Sequence, residues 1–419
     1  MSRLADFRAL MRSLDPSGDP RVAVKHGWTA ERPASSSAAV ALARRLELEP
    51  WSTHLMFGGV GSGKTTELWR VFQRLVAVAE EQKTGDVARY IDVAAEHRLD
   101  SLRPGILVAL AGRYLVRLEG QVRRARGDHT VAPEVLKARE AIQKVAEGHL
   151  MKVPRYEDTG PDEPDWEGPD PDDEWDYIRV PGLIKPPQPP IDDKVADAIG
   201  HLRTLRDAVV GSEGHCVFLF DSLDRVPVAK SFESDVRDDL RALKQAKIGT
   251  VVVGPIRFQY GAARAVGELV DKVHFVSEVE PVGDGLAFLS DVLGKRVPSS
   301  LLSVEGRVQI ARASGGVLRD LVAIAKLSAE EAYVAGTDEI AAEHIARAVD
   351  QFGRARAVGL DSEQVAALRK VRETQKFVLK DERDYALLET RRVLDWGGGR
   401  FVVHPTLEPL LAVISEAAA

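Results

Sequence analysis

The sequence predicts an α/β fold in which a parallel sheet flanked by helices is followed by an α-helical lid and a small winged-helix-like domain. Three observations predict it. Short apolar runs alternate with helical periods over most of the chain; a glycine-rich turn, "GGVGSGKTT", joins one such run to a helix; and another run, "CVFLFD", ends in an acid. Buried parallel strands read as continuous apolar runs, and ligands of open α/β sheets sit at their C-terminal ends. With 419 residues, 44% hydrophobic and 29% charged, the chain has room for several modules and is not disordered throughout. Residues 1–44 read as an N-terminal helical segment and 45–280 as the sheet domain, with an insertion at about 100–195. The lid takes 281–352 and the winged-helix-like domain 353–419.

The first strand, Thr53 to Phe57, runs into Gly58, Gly59, Val60, Gly61, Ser62, Gly63, Lys64 and Thr65, with Thr66 next. This matches G-x-x-x-x-G-K-[ST] between a strand and a helix. Glycines let backbone amides turn inward around phosphates, and the following helix aims its positive end at them. ATP is therefore the expected ligand, with Lys64 on the β- and γ-phosphates and the Thr65 hydroxyl in the shell of Mg2+. In the helix, Leu68, Val71, Phe72 and Leu75 share one face and can pack on a sheet.

Val87 to Val93, Gly249 to Pro255 and Lys272 to Ser277 supply further strands. Asp221 leaves the end of its own strand as the magnesium-side carboxylate. Many enzymes of this kind place a catalytic glutamate next, but here Ser222 follows, and an ordinary hydroxyl is no general base. Asp224 is the nearest substitute: it either polarises water or pairs with Arg225. Hydrolysis is expected to be slow. The strand that ends Val253, Gly254, Pro255 has no polar sensor, which leaves Arg257 as the nearby candidate.

Beyond Ser277, "ARASGGVLRDLVAIAKLSAEEAYVAG" sets Ala311, Val317, Leu321 and Ile324 at helical spacing and puts Arg319 in the first turn of a helix. Read by itself, Arg319 pairs with Asp320 or Glu331, or serves the site.

"GGVGSGKTTEL", "VFLFDSLDR" and "SGGVLRDL", in this order, resemble the AAA+/STAND-type P-loop ATPases of bacteria, close in plan to origin-recognition ATPases. The "DSLDR" end is also similar to the "DDLDR" of KAP P-loop ATPases. The likeness spans about Arg45 to Val349 and departs at Ser222, at the missing sensor after Val253 and in the absence of KAP membrane helices. It implies an ASCE/AAA+ sheet and makes Arg319 the lid arginine that touches the γ-phosphate and couples nucleotide to lid angle. It further implies a role in antiphage defence, with the effector on a separate chain.

From about Gln351 the pattern changes. A helix over Ser362 to Thr374 and another near Arg383 to Thr390 precede strands at Arg392 to Trp396 and Arg400 to Val403, joined by Gly397, Gly398 and Gly399. This order reads as a winged helix. Arg391, Arg392 and Arg400 are placed to meet phosphates of duplex DNA, whereas Asp384 and Glu389 oppose it. The alternative is a protein surface or a clamp on the chain's own ATPase. His404 and Pro405 begin the last helix.

The insertion opens with a helix in "SLRPGILVALAGRYLVRLEGQVRRAR" and a second near Pro133 to Gly148, expected as an arm beside the sheet. An acidic, proline-rich stretch follows that carries Trp166, Trp175 and Tyr177. Its composition opposes isolated order and suits docking on a basic partner or autoinhibition. The net charge of -7 limits nucleic-acid contact to a local patch, and Cys216, the only cysteine, suits a reducing cytoplasm. No apolar run approaches membrane length.

These readings favour a nucleotide-dependent switch whose closed state alters homo-oligomerisation or engagement of a partner or effector subunit. A DNA-associated AAA+ regulator or loader and a non-hydrolysing scaffold are the alternatives.

Overall fold

The computed structural model describes residues 3–33, 37–128, 130–146, 192–211, 213–226, 232–261 and 270–416. The acidic, proline-rich stretch lies outside these residues, so the docking expected of it is not addressed. Strands β1 (Thr53–Gly58), β2 (Val87–Asp92), β3 (Cys216–Asp221), β4 (Gly249–Val253) and β5 (Lys272–Val276) form one parallel sheet in the order β2-β3-β4-β1-β5. Every residue of β1, β3 and β4 is buried, as uninterrupted apolar strands require when both faces are covered. One strand, β4, separates β1 from β3, so the phosphate loop and Asp221 emerge on the same edge.

The longer helices run in order α1 (Arg3–Ser13), α2 (Ala38–Leu48), α3 (Lys64–Gln82), α4 (Ile106–Ala125), α5 (Pro133–Ala146), α6 (Asp192–Val210) and α7 (Phe232–Gln245). They continue with α8 (Gly283–Arg296), α9 (Val304–Ala313), α10 (Leu318–Val334), α11 (Ala342–Ala357), α12 (Ser362–Thr374), α13 (Glu382–Glu389) and α14 (Glu408–Glu416). Helices α2 and α3 cover one sheet face through Leu42, Leu46, Leu68 and Val71 packed on Met56, Leu219 and Val251. The other face is covered by α4 to α7, with Leu107, Leu110, Leu202 and Leu240 in one core with Phe57, Phe218 and Phe220. The insertion helices are thus a layer of the sheet domain and not an arm beside it. Residues 106–112 are buried all round, which an arm would not permit.

Helices α8 to α11 form the lid, and Phe7, Leu10 and Leu14 from α1 and the turn after it share its core. Helices α12 and α13, the antiparallel hairpin β6 (Val393–Asp395) and β7 (Phe401–Val403), and α14 follow, the order that the winged-helix-like reading expects. This module has its own core of Leu368, Leu388, Val393, Phe401 and Leu411. A reciprocal capping box starts α12: Gln364 N donates to Asp361 Oδ1 at 2.7 Å and Asp361 N to Gln364 Oε1 at 3.3 Å. Among the described residues no helix is long and apolar enough to cross a membrane.

Candidate functional site

The phosphate loop leaves β1 at Gly58 and enters α3 at Lys64, with Gly61 at φ 84° and Gly63 at φ 100°. Both angles lie in the left-handed region that glycine adopts without strain. A side chain at either position would also strike the lid: a Cβ on Gly61 would fall 2.7 Å from Arg319 Cβ, and one on Gly63 2.9 Å from Leu318 Cδ1. The first turn of α10 therefore rests on the loop, and Arg319 N donates to Gly61 O at 3.4 Å.

Lys64 is 5% exposed, and all its donors are used. Its Nζ donates at 2.9 Å to the carbonyls of Gly58 and Gly59 and pairs at 2.9 Å with Asp224 Oδ2. Asp224 thus does not pair with Arg225, which is exposed. Asp221 is 1% exposed and accepts from Tyr90 Oη at 2.6 Å and from Ser222 N at 2.7 Å, with the Thr65 side chain close by. Burial, and then the negative charge of Asp224, push its pKa above the usual carboxylate range. Ser222 is buried with φ 70°, so the chain turns in a left-handed conformation where a glutamate would otherwise stand.

Neither partner expected for Arg319 is available to it. Asp320 is held by Arg356 at 2.8 Å, Arg391 at 2.5 Å and His404 at 3.3 Å, and Glu331 by Arg347 at 3.0 Å. Among the described residues the Arg319 guanidinium has no hydrogen-bonding partner. Burial, with Arg391 and Arg225 nearby, holds its pKa below the usual arginine range. For Asp320 burial pushes the pKa up, but His404, Arg391 and Arg356 outweigh it and the net direction is down. His404 also accepts from Thr406 N at 3.3 Å, which starts the turn before α14 as the sequence suggests.

The C-terminal module closes the other side. Arg257, the candidate sensor after β4, pairs with Glu389 and Glu382 of α13. A cavity of about 220 Å³ remains between the loop and this helix, lined by Gly58, Val60, Asp224, Arg225, Arg257 and Glu389. The arginines expected to face DNA are engaged within the chain: Arg391 on Asp320, Arg392 on the carbonyls of Arg356 at 3.0 Å and Val358 at 2.6 Å, and Arg400 on Glu280.

Three site residues gave no signal in the sequence. Tyr90 comes from β2, whose register sets Asp92 beside Asp221. Arg32, 6% exposed, donates to Ser62 O at 3.1 Å and Ser277 O at 2.5 Å and so ties the N-terminal segment to the loop. Glu278, just past β5, lies against Gly59 and accepts from Asp395 N at 3.2 Å. Burial pushes its carboxyl up to about 7.

Ser62 Oγ, Arg32 Nε and Arg391 Nε are buried around the loop with no hydrogen-bond partner among the described residues. Unpaired donors at a glycine loop, with Lys64, Arg319, Thr65 and Asp221 around it, suit a polyanion bound with a divalent cation.

No protein-family model matches the chain, and no curated protein matches it. Solved structures do align over nearly its whole length. The ORC2 protein of Aeropyrum pernix, solved as ADPNP and ADP complexes, shares 13% identity with a TM-score of 0.45, covering 97% of this chain and 96% of that one. The ORC1 protein of Aeropyrum pernix in complex with DNA shares 14% with a TM-score of 0.43, covering 93% and 95%. Cdc6p from Pyrobaculum aerophilum shares 15% with a TM-score of 0.40, covering 97% of each.

Proposed function

We propose that this chain is a nucleotide-binding switch: ATP with Mg2+ binds at the phosphate loop, is hydrolysed slowly, and sets how firmly the lid and C-terminal module close on the sheet domain. The observation that carries this reading is the seating of the lid's first turn on Gly61 and Gly63, with the Arg319 guanidinium unpartnered among the described residues. The amides of residues 58–66 and Lys64 would bind the phosphates, and Thr65 with Asp221 would hold the magnesium, which offsets phosphate charge. Lys64 must exchange Asp224 for the phosphates, and that exchange frees Asp224 on the cavity wall to polarise water. Arg319 would couple the nucleotide to the lid.

A partner, an effector subunit or a second copy of this chain would read the closed surface, in the defence setting that the resemblance implies. Exposed Arg225 at the cavity rim suits such a contact. The internal pairing of Arg391, Arg392 and Arg400 weighs against duplex DNA as the primary partner while the module stays docked. Magnesium-dependent ATP turnover of the chain, with and without duplex DNA, tests this against Lys64→Ala. Slow turnover that vanishes in the variant and ignores DNA is expected. Turnover that rises severalfold on DNA would favour a DNA-linked regulator, and binding without turnover a scaffold.

A further inference from the structure

The turn that ends α13 departs from ordinary backbone chemistry. Arg391 N donates to Leu388 O at 3.0 Å and Arg392 N to Leu387 O at 2.8 Å, after Thr390 as the C-cap. These two bonds define a Schellman motif, and Arg391 occupies its left-handed position at φ 58°, a place that glycine usually takes. An arginine there costs about 1 kcal/mol or more of backbone strain. The side chain offers an account of that cost. Its Nη1 lies 3.4 Å from where a Cβ on Gly61 would stand and donates to Asp320 Oδ1 at 2.5 Å, while its Nε is buried without a partner among the described residues. The residue comes from the C-terminal module but sits over the phosphate loop, on the same turn as Glu389, which faces the adjoining cavity.

We propose that Arg391 is a second phosphate-directed arginine of the site: it binds the polyphosphate of a nucleoside triphosphate through its free donors while Nη1 stays on Asp320. This rests on the nucleotide-switch reading and extends it from the lid to the C-terminal module. A guanidinium carries five donors in a rigid fork, so one edge can hold a carboxylate while another meets an anion. Asp320 keeps Arg356 and His404 in either case, so the lid and the module remain joined. Arg319 from the lid and Arg391 from the module then grip one ligand from two elements, and a triphosphate closes both.

The test is the ratio of ATP to ADP affinity in the full chain, read by calorimetry, for the parent, Arg391→Gly and Arg400→Ala. Glycine suits the left-handed turn, so Arg391→Gly removes the guanidinium without straining the fold. Arg400→Ala removes a different tie between hairpin and core, the pair with Glu280, without touching the loop. Arg391→Gly is expected to lose about tenfold of the preference for ATP, the scale of one charge-assisted hydrogen bond, while ADP affinity holds. Arg400→Ala is expected to keep the parent's ratio. The same loss in both variants would mean that docking alone sets the ratio, and an unchanged ratio in Arg391→Gly with ATP still bound would overturn the role of Arg391 while leaving the switch reading in place. A parent that binds neither nucleotide, or a Lys64→Ala variant that binds both as the parent does, would overturn the two together.

Discussion

Replacing Asp224 by asparagine should tighten ATP binding, against the usual expectation that losing an active-site acid weakens a ligand. Asp224 sits 2.9 Å from Lys64 Nζ, with side-chain exposures of 16% and 5%, so the pair is largely shielded from water. Incoming phosphates must take Lys64 from a carboxylate, and they meet that carboxylate's charge as they arrive. A hydrogen bond to a charged group contributes about 1.5–3 kcal/mol, and each 1.4 kcal/mol is about tenfold in affinity. Taking the lower end for a pair at a cavity mouth, Asp224→Asn should bind ATP about tenfold more tightly, with most of the gain already present without magnesium. Isothermal titration of both proteins measures this. Unchanged or weaker binding in the variant would refute the competition between Asp224 and phosphate for Lys64. Turnover reports separately on water activation: if Asp224 polarises water, the tighter-binding variant should hydrolyse more slowly.

Two further outcomes follow from the buried charges. Asp320→Ala strands Arg391 and His404 of the C-terminal module, and Arg356 of α11, without their shared carboxylate, and breaking a buried ion pair costs about 3–5 kcal/mol, so the segment from 358 onward should undock and be clipped early in limited proteolysis. Intact protection would show that the apolar core of the module suffices. Glu278 has a carboxyl raised to about 7 by burial, so the folded chain holds its proton more tightly than the unfolded one. Its contribution is fully present below the ordinary glutamate range and is lost as pH rises through about 7. Glu278→Gln should therefore flatten the fall in melting temperature across that window, and an unaltered slope would place the proton elsewhere.

What the sequence disclosed and what it hid divide along the range of the interactions. Loop, strand and helix around Lys64 are contiguous, and each residue's reason lies within a few neighbours, so their placement was legible. Asp221 was legible because an uninterrupted apolar run reads as a buried parallel strand, and ligands of such sheets sit at the strands' C-terminal ends. The partners of those residues were not. Asp320 attracts Arg356 and Arg391 from 36 and 71 positions away, which leaves Arg319 without the neighbour that adjacency suggested. Asp224 bypasses Arg225 because the turn over residues 223–225 carries it to Lys64. Tyr90, Arg32 and Glu278 belong to a strand, an N-terminal segment and a loop with no local mark of function, and only the packed sheet edge unites them. The insertion helices, expected as an arm beside the sheet, instead form a layer of the sheet domain, because residues 106–112 are buried all round.

Hydrogen–deuterium exchange on the full chain with magnesium and ATP, with ADP, and with neither tests the central claim most directly, because it reads closure at the elements that carry it. ATP is expected to slow exchange in residues 318–323 and 385–403 by severalfold relative to ADP, with the loop at 58–66 protected by both nucleotides. Equal exchange in the lid and the C-terminal module under all three conditions, at nucleotide concentrations that saturate the loop, would contradict the switch.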